Sequence, residues 1–153
     1  MKTIFIGIDP GKNGGIAYIN TENGYFETVP YSNQELIHLC IDTTHKNVGC
    51  SEVICCLEKV GAMPGQGVVS MFNFGASVGY IKGVLEAFYI PYQEISPQKW
   101  KKEFGLTSDK AASAEICGKL FPGLSLLATP KCKKPHDGMA EALLMAEYAR
   151  RKL

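Results

Sequence analysis

Asp9 and Glu58 each end an apolar segment, where a carboxylate is costly unless a cation meets it. Asp9 follows Ile4–Ile8, and Glu58 follows Val53–Leu57. Burying an unpaired charge is strongly unfavourable, so an acid at the end of such a strand indicates a compensating ion. If the two strands are adjacent and parallel, both carboxylates lie at one edge of the sheet, where open α/β sheets bind ligands.

A second pair of acids begins the last predicted helix. Asp137 and Glu141 are four residues apart and therefore share one helix face. Like charges at this spacing repel unless a cation lies between them, although Asp137 alone could simply favour a helix N-terminus. His136, directly before them, could bind a metal, act as a general base, or be only a polar residue at the helix start.

Four carboxylates at one site would suit a hard divalent cation. Mg²⁺ and Mn²⁺ prefer carboxylate and water oxygens to thiolates or imidazoles. Two such ions, roughly 4 Å apart, can activate a water molecule and stabilise the departing oxygen of a phosphodiester. We therefore predict phosphodiester hydrolysis with Mg²⁺ as the cofactor, Mn²⁺ as a substitute, and no small-molecule substrate.

The first half of the chain predicts an antiparallel meander followed by a crossover. Turn-forming residues separate three strands, and a helix capped by Ser32 then leads to a fourth strand. The predicted strands are Thr3–Asp9, Gly14–Asn20, Gly24–Val29 and Val53–Glu58.

The second half alternates helices with one more strand. After a Gly/Pro-rich loop at 59–69, the predicted elements are a helix Ser70–Tyr89, a strand Tyr92–Ile95, a helix opened by Ser96 and Pro97, a helix capped by Ser108 and ending at Leu120, and a last helix His136–Arg151. The order predicts an α/β fold with a mixed five-stranded sheet, three strands antiparallel and two parallel, flanked by helices.

Three glycines of the Ser70–Tyr89 helix, Gly75, Gly79 and Gly83, recur every four residues and share one face. Such a face permits close approach of another backbone, either the sheet of the same chain or a second subunit. We expect packing within the subunit, the commoner reason for a glycine inside a helix.

Length and composition predict a single domain over residues 1–153, with a hydrophobic content of 46%. The apolar start is interrupted by Asp9 and so is no signal peptide, and no run approaches the roughly 18 consecutive apolar residues of a membrane helix. We expect a soluble, intracellular, cytoplasmic protein without membrane contact. Its six cysteines should be reduced, and Cys132 with His136 lacks the second pair of ligands that a structural zinc needs.

The charge is distributed unevenly along the chain. Residues 1–98 contain five Lys or Arg against nine Asp or Glu, whereas residues 99–153 contain eleven against six. The C-terminal third could therefore face phosphates, or it could be an ordinary solvated helical surface.

Most of the chain resembles the RuvC type of Holliday-junction resolvase. The similar segments, in the family's order, are IFIGIDPG at 4–11, CLE at 56–58, FGASVGYIKG at 74–83, ISPQKWK at 95–101 and DGMAEALLMA at 137–146. The resemblance implies a ribonuclease-H-like fold and a homodimer that resolves four-way DNA junctions by paired symmetric nicks.

The same resemblance implies roles for individual residues. The implied metal ligands are Asp9, Glu58, Asp137 and Glu141, with His136 as a further catalytic candidate. The implied DNA contacts are Lys12, Lys101 and Lys110, together with Met63 or Phe72 in place of the aromatic wedge that the family carries after its strand-end glutamate.

The chain departs from the cellular family at its last acidic motif. Cellular members separate the final two acids by three residues, and the corresponding positions here are Gly138 and Glu141. Whether Asp137 or His136 fills the vacated place stays open. The short Gly-rich loop at 59–69 is closer to phage-encoded members, which would place the protein in an infected bacterium.

Three other interpretations compete with a junction resolvase. The Gly-rich turn after Asp9 also occurs in ATP-binding domains of the actin and sugar-kinase type, but those folds need two large lobes and this chain supplies at most one. A ribonuclease-H-like nuclease acting on RNA or RNA–DNA hybrids would use the same ligands. A junction-binding protein without cleavage would have little reason to keep all four acids.

Overall fold

A five-stranded mixed sheet forms the centre of the chain, with the strand order β3-β2-β1-β4-β5. The computed structural model describes residues 2–45 and 52–153, apart from the side chains of His45 and Lys110. The strands are β1 (Thr3–Asp9), β2 (Gly15–Asn20), β3 (Phe26–Pro30), β4 (Glu52–Glu58) and β5 (Tyr92–Ile95). The helices are α1 (Asn33–His45), α2 (Val68–Ala87), α3 (Pro97–Glu103), α4 (Lys110–Leu120) and α5 (Asp137–Lys152).

The strand pairing confirms the predicted sheet. Strands β1, β2 and β3 form an antiparallel meander, while β4 pairs in parallel with both β1 and β5. Ile8 lies opposite Leu57 in the β1–β4 register, so the next residues along the two strands are Asp9 and Glu58. Both acids therefore leave the sheet at the same edge.

The two sheet faces carry separate parts of the core. Because side chains alternate along a strand, Ile4, Ile6 and Ile8 pack toward α1 and α2, whereas Phe5 packs toward α4 and α5. By the same alternation Asp9 shares the face of Phe5, and Glu58 shares the face of Cys56 beneath α5. The period of two thus directs both acids toward the last helix.

Helix α5 lies unusually close to β1 because Gly7 has no side chain. A Cβ atom at Gly7 would overlap the carbonyl oxygen of Ala142 and lie 2.5 Å from the amide nitrogen of Ala146. On β2, a Cβ at Gly15 would overlap the backbone of Gly138. The backbone of α5 therefore rests directly on the backbones of two strands.

Local capping agrees with the sequence except at α4. The hydroxyls of Ser32 and Ser96 accept from the backbone amides of Glu35 (3.1 Å) and Lys99 (3.3 Å), as predicted. Helix α4 is capped by Asp109 instead of Ser108, because the Asp109 carboxylate accepts from the amide of Ala111 at 3.0 Å.

The expectation that the glycine face of α2 packs within the subunit is wrong. Among the described residues, no atom comes within 4 Å of a Cβ placed on Gly75, Gly79 or Gly83. Val68 and Phe72 on the same helix are 85% and 76% exposed. An apolar, small-residue flank of α2 is therefore open.

Helix α2 also bears on the expectation of no membrane contact. It is the one helix in the described part of the chain that is long and apolar enough to cross a membrane by length and composition, and 17% of its most apolar window is buried. One helix of this kind is weak grounds for a membrane span. The five described cysteines form no disulfide with one another, and Cys50 lies outside the described residues.

Candidate metal centre

Three carboxylates from distant parts of the sequence meet beyond the ends of β1 and β4. Asp9 and Glu58 come from the strand ends, and Glu141 comes from the second turn of α5. One oxygen of each carboxylate lies within 4.8 Å of the others. This spacing allows the three side chains to bind one ion together.

Neighbouring side chains of α3 hold two of these acids. The indole Nε1 of Trp100, a fully buried residue, donates a hydrogen bond to Glu58 Oε2 at 2.9 Å. The Lys101 ammonium lies 3.5 Å from Glu141 Oε1 and 5.4 Å from the centre of the Trp100 ring. The residues of α3, which follows β5, therefore provide the site with one hydrogen-bond donor and one positive charge.

Burial, together with the neighbouring carboxylates, raises the pKa values of Asp9 and Glu58. Burial, the charges of Glu58 and Glu141, and a hydrogen bond with Glu141 raise the pKa of Asp9 to about 8, against the opposing charge of Lys101. Burial also raises the pKa of Glu58, with the hydrogen bond from Trp100 opposing it. Without a metal, the site thus retains a proton at neutral pH.

This donor set fits a divalent cation. All three ligands are carboxylates, the group that Mg²⁺ and Mn²⁺ prefer, and no thiol or imidazole belongs to the cluster. A cation would offset both the burial and the repulsion that raise the pKa of Asp9. Asp9, Glu58 and Glu141 are accordingly the residues that would hold it.

The stability of the metal-free protein should fall as the pH rises. The folded-state pKa of Asp9 is about 8, against 3.8 for the free group, so the folded chain binds a proton that the unfolded chain releases. This stabilisation is fully present below the unfolded-state pKa of 3.8 and is lost as the pH rises through the folded-state pKa of about 8. In EDTA, we expect the thermal midpoint to fall from about pH 5 to about pH 8 more steeply for wild type than for Asp9→Asn.

Addition of Mg²⁺ at about pH 8 should recover most of that loss in wild type and much less in Asp9→Asn, because the cation favours the ionised carboxylates. Parallel pH profiles for the two proteins in EDTA would contradict the raised pKa of Asp9.

Asp137 and His136 lie at the same site but outside the group of three. Both line a cleft together with Asp9, Asn13 and Glu141. Asp137 is not among the acids whose oxygens lie within 4.8 Å of one another. The ring Nδ1 of His136 accepts a hydrogen bond from the amide of Met139 at 3.1 Å and caps α5, which leaves Nε2 as its available atom.

The position three residues before Glu141 is closed to any side chain. A Cβ on Gly138 would overlap the carbonyl oxygen of Asn13 and lie 2.5 Å from the carbonyl carbon of Gly14. The turn after β1 therefore occupies the space that a carboxylate would need there. This contact leaves no room for a carboxylate three residues before Glu141.

The candidate DNA contacts differ in how far their side chains are exposed. Lys12 is exposed in the turn that follows Asp9, and Lys101 is half-buried beside Glu141. Met63 and Phe72 are 64% and 76% exposed. The side chain of Lys110 lies outside the described residues.

Sequence reasoning missed Trp100 as the partner of Glu58. The chain has a single tryptophan, and it lies one position before the candidate Lys101. A buried tryptophan needs an acceptor for its indole N–H. That requirement was the available signal, but it could not identify which carboxylate accepts.

Comparison with known proteins rests on structure alone. No family model matches the chain, and no curated protein is significantly similar to it in sequence. Thermus thermophilus RuvC in complex with a Holliday junction substrate is similar with a TM-score of 0.56 and 16% identity, over 97% of this chain and 96% of that one. The chain has the fold of RuvC.

A second structure of Thermus thermophilus RuvC is similar to the same degree. Its TM-score is 0.55 at 16% identity, and the match covers 99% of this chain and 96% of that chain. The predicted ribonuclease-H-like sheet, with three antiparallel and two parallel strands, is confirmed. The resemblance to RuvC seen in the sequence thus holds for the fold from end to end.

Proposed function

We propose that this protein is a metal-dependent endonuclease that cuts branched DNA and resolves four-way junctions. The observation that carries the proposal is the meeting of Asp9, Glu58 and Glu141 at one sheet edge of a RuvC-like fold. Burial and the neighbouring carboxylates raise the pKa of Asp9 to about 8, so the cluster is costly to ionise without a cation. Its benefit comes when a cation and a phosphate are bound.

The site residues divide into metal ligands and phosphate contacts. When bound, Mg²⁺ would supply a Lewis acid that polarises the phosphate and lowers the pKa of a water. Asp9, Glu58 and Glu141 would hold it, with Trp100 keeping the Glu58 carboxylate in place. Lys101 would neutralise Glu141 in the free protein and contact a DNA phosphate in the complex. We propose Asp137 and His136, on the cleft wall, as further contacts to metal or substrate.

The proposed substrate is DNA with a four-way branch. One of the similar structures is RuvC in complex with a Holliday junction substrate, and the surplus of basic residues after position 98 suits a polyanion. We further propose a cytoplasmic location and a single functional domain over residues 1–153. The short loop at 59–69 favours a phage-encoded protein that acts in an infected bacterium.

We propose that the protein acts as a homodimer through the open flank of α2. Two symmetric cuts in a two-fold junction require two copies of the site. Gly75, Gly79 and Gly83 leave space for a second helix, and Val68 and Phe72 expose apolar surface beside them. A second copy of α2 would bury this surface.

A bulky charged side chain on this flank should dissociate the dimer. Gly79→Arg is expected to fold, because nothing among the described residues lies within 4 Å of the new Cβ, yet to sediment as a monomer at micromolar concentration. The matched control is Gly118→Arg on α4, which also has open space and should leave the dimer intact. Wild type that sediments only as a monomer, with and without junction DNA, would refute the dimer.

The activity itself is tested with a panel of substrates. Purified protein is incubated in Mg²⁺ with four-way, forked and linear DNA and with an RNA–DNA hybrid, all end-labelled. We expect paired nicks at symmetric positions of the four-way junction and little cutting of linear duplex. Preferential cleavage of the hybrid would favour the alternative ribonuclease activity. Absence of cleavage on every substrate would refute the enzyme assignment.

A further inference from the structure

A groove of about 770 Å³ lies beside the metal centre, between α2 and the turn that follows β1. Its volume is in the range of sites that bind small organic molecules. Its lining includes Gly11, Lys12, Tyr31, Gln66, Asn73 and Phe74. None of these residues belongs to the carboxylate cluster.

The aromatic walls of the groove are fixed by the turn. Gly11 has a left-handed φ of 113°, and a Cβ there would lie 3.2 Å from the Phe74 ring, so ring and turn are in close contact. The amide of Gly14 donates to Gly11 at 3.0 Å, and the amide of Tyr31 donates to Gly14 at 2.9 Å. The Tyr31 hydroxyl donates to Asn33 at 2.8 Å. Both rings are therefore held before any ligand arrives.

A polar stripe on α2 completes the groove. Ser70, Asn73 and Ser77 are spaced three and four residues apart and share one side of an otherwise apolar helix. In the part of the chain that the structure describes, these side chains make no hydrogen bond to protein. Gln66 adds a second amide, and among the described lining residues Lys12 carries the one charge.

The groove adjoins the path of a DNA strand held at the metal centre. Gly11 follows Asp9 by two residues, so their Cα atoms are at most about 7 Å apart. That length corresponds to about two base steps of 3.4 Å. The groove wall that Gly11 and Lys12 form therefore lies within about two base steps of a strand held at the carboxylates.

We propose that this groove binds one unstacked nucleobase of the strand to be cut, and so gives the enzyme a sequence preference. The inference rests on the proposed nuclease function and adds the recognition site to it. Tyr31 and Phe74 provide rings for stacking, which accepts any base. The amides of Asn73 and Gln66 select among bases by hydrogen bonds to their edges, and Lys12 contacts the adjoining phosphate.

The groove stays accessible in the proposed dimer. Successive residues of a helix are rotated by about 100°, so residues two apart point roughly in opposite directions. Ser70 is two residues from Val68, and Ser77 is two residues from Gly79. The polar stripe and the open glycine flank are therefore on opposite sides of α2, and a partner on one does not cover the other.

Photo-crosslinking tests where the base binds, without any need for cleavage. A single-stranded oligonucleotide and a four-way junction, each carrying one 5-iodouracil at successive positions, are bound in EDTA and irradiated. Mass spectrometry should place the crosslink on Tyr31, Met71 or Phe74. Asn73→Ala should lower that yield about tenfold, the effect of losing a base-edge contact. The matched control Gln93→Ala removes an exposed amide from β5 and should leave the yield unchanged.

The outcomes separate this inference from the nuclease assignment. Crosslinks found only outside the groove, or an Asn73→Ala yield equal to wild type, would overturn the base site even if junctions are cut. Groove crosslinks with no cleavage of any substrate in Mg²⁺ would support the base site and refute the nuclease. If groove crosslinks and junction cleavage are both observed, Asn73→Ala should also reduce the preference for one base near the cut by about tenfold in cleavage rate.

Discussion

Glu58→Gln protein is expected to fold, to bind four-way junctions and to cut them at a rate about 100-fold or more below wild type. Changes that only disturb the partners of metal ligands already cost about 10- to 100-fold, and Glu58 is itself a proposed ligand. The fold should persist because the glutamine carbonyl can still accept from Trp100 Nε1. Removal of one crowded charge should also stabilise the metal-free protein at neutral pH.

Binding should survive or tighten in this variant, because phosphate contacts carry most of the affinity for DNA and one repelling charge has been removed. The rate is measured by single-turnover cleavage of a labelled junction in Mg²⁺, and binding is measured in EDTA. Glu94→Gln is the matched control, since Glu94 pairs with Lys82 on the surface, 2.8 Å away, and should be silent. Asp9→Asn should resemble Glu58→Gln. Cleavage by Glu58→Gln at the wild-type rate would contradict the assignment of the metal site.

Gly7→Ala is expected to lower the free energy of unfolding by about 3 kcal/mol or more, the upper end of the range for overpacked cores. The added methyl would overlap the carbonyl oxygen of Ala142, and backbone cannot rotate away as a side chain can. The overlap is relieved only if the backbones of α5 and β1 move apart. Because α5 carries Glu141, the variant should also bind Mg²⁺ more weakly.

Urea denaturation measures the first effect, and Mg²⁺ titration of the thermal midpoint measures the second. Gly118→Ala supplies the contrast: it lies within α4 with open space around its Cβ and should gain up to about 1 kcal/mol from helix propensity. A Gly7→Ala protein as stable as wild type would mean that α5 does not rest on β1 as closely as described.

The positions of the two strand-end acids were predictable from a local sequence pattern and from the pairing of two strands. An apolar strand followed by a carboxylate occurs twice, and parallel pairing brings Asp9 and Glu58 to one edge. The helix caps at Ser32 and Ser96 follow from local hydrogen bonding and were predicted as well. These features depend on neighbours in sequence or on one strand register, so the chain specifies them locally.

What the sequence could not reveal depends on distances between remote backbones. Nothing local shows that Gly7 faces α5 while Gly79 faces open space, since both are glycines within regular elements. The closure of position 138 by Asn13 is equally invisible without the fold. The groove below Tyr31 requires the turn, β3 and α2 together, so it has no linear signature.

The origin of the three ligands has a consequence for biosynthesis. Asp9 and Glu58 are made in the first half of translation, but Glu141 is on α5, which packs directly on β1 through Gly7. A nascent chain therefore holds two thirds of the ion site for most of its synthesis without the element that completes it. Any product truncated before α5 lacks both the third carboxylate and the helix that covers the sheet. Such fragments would lack the complete carboxylate cluster on which the proposed nuclease activity depends.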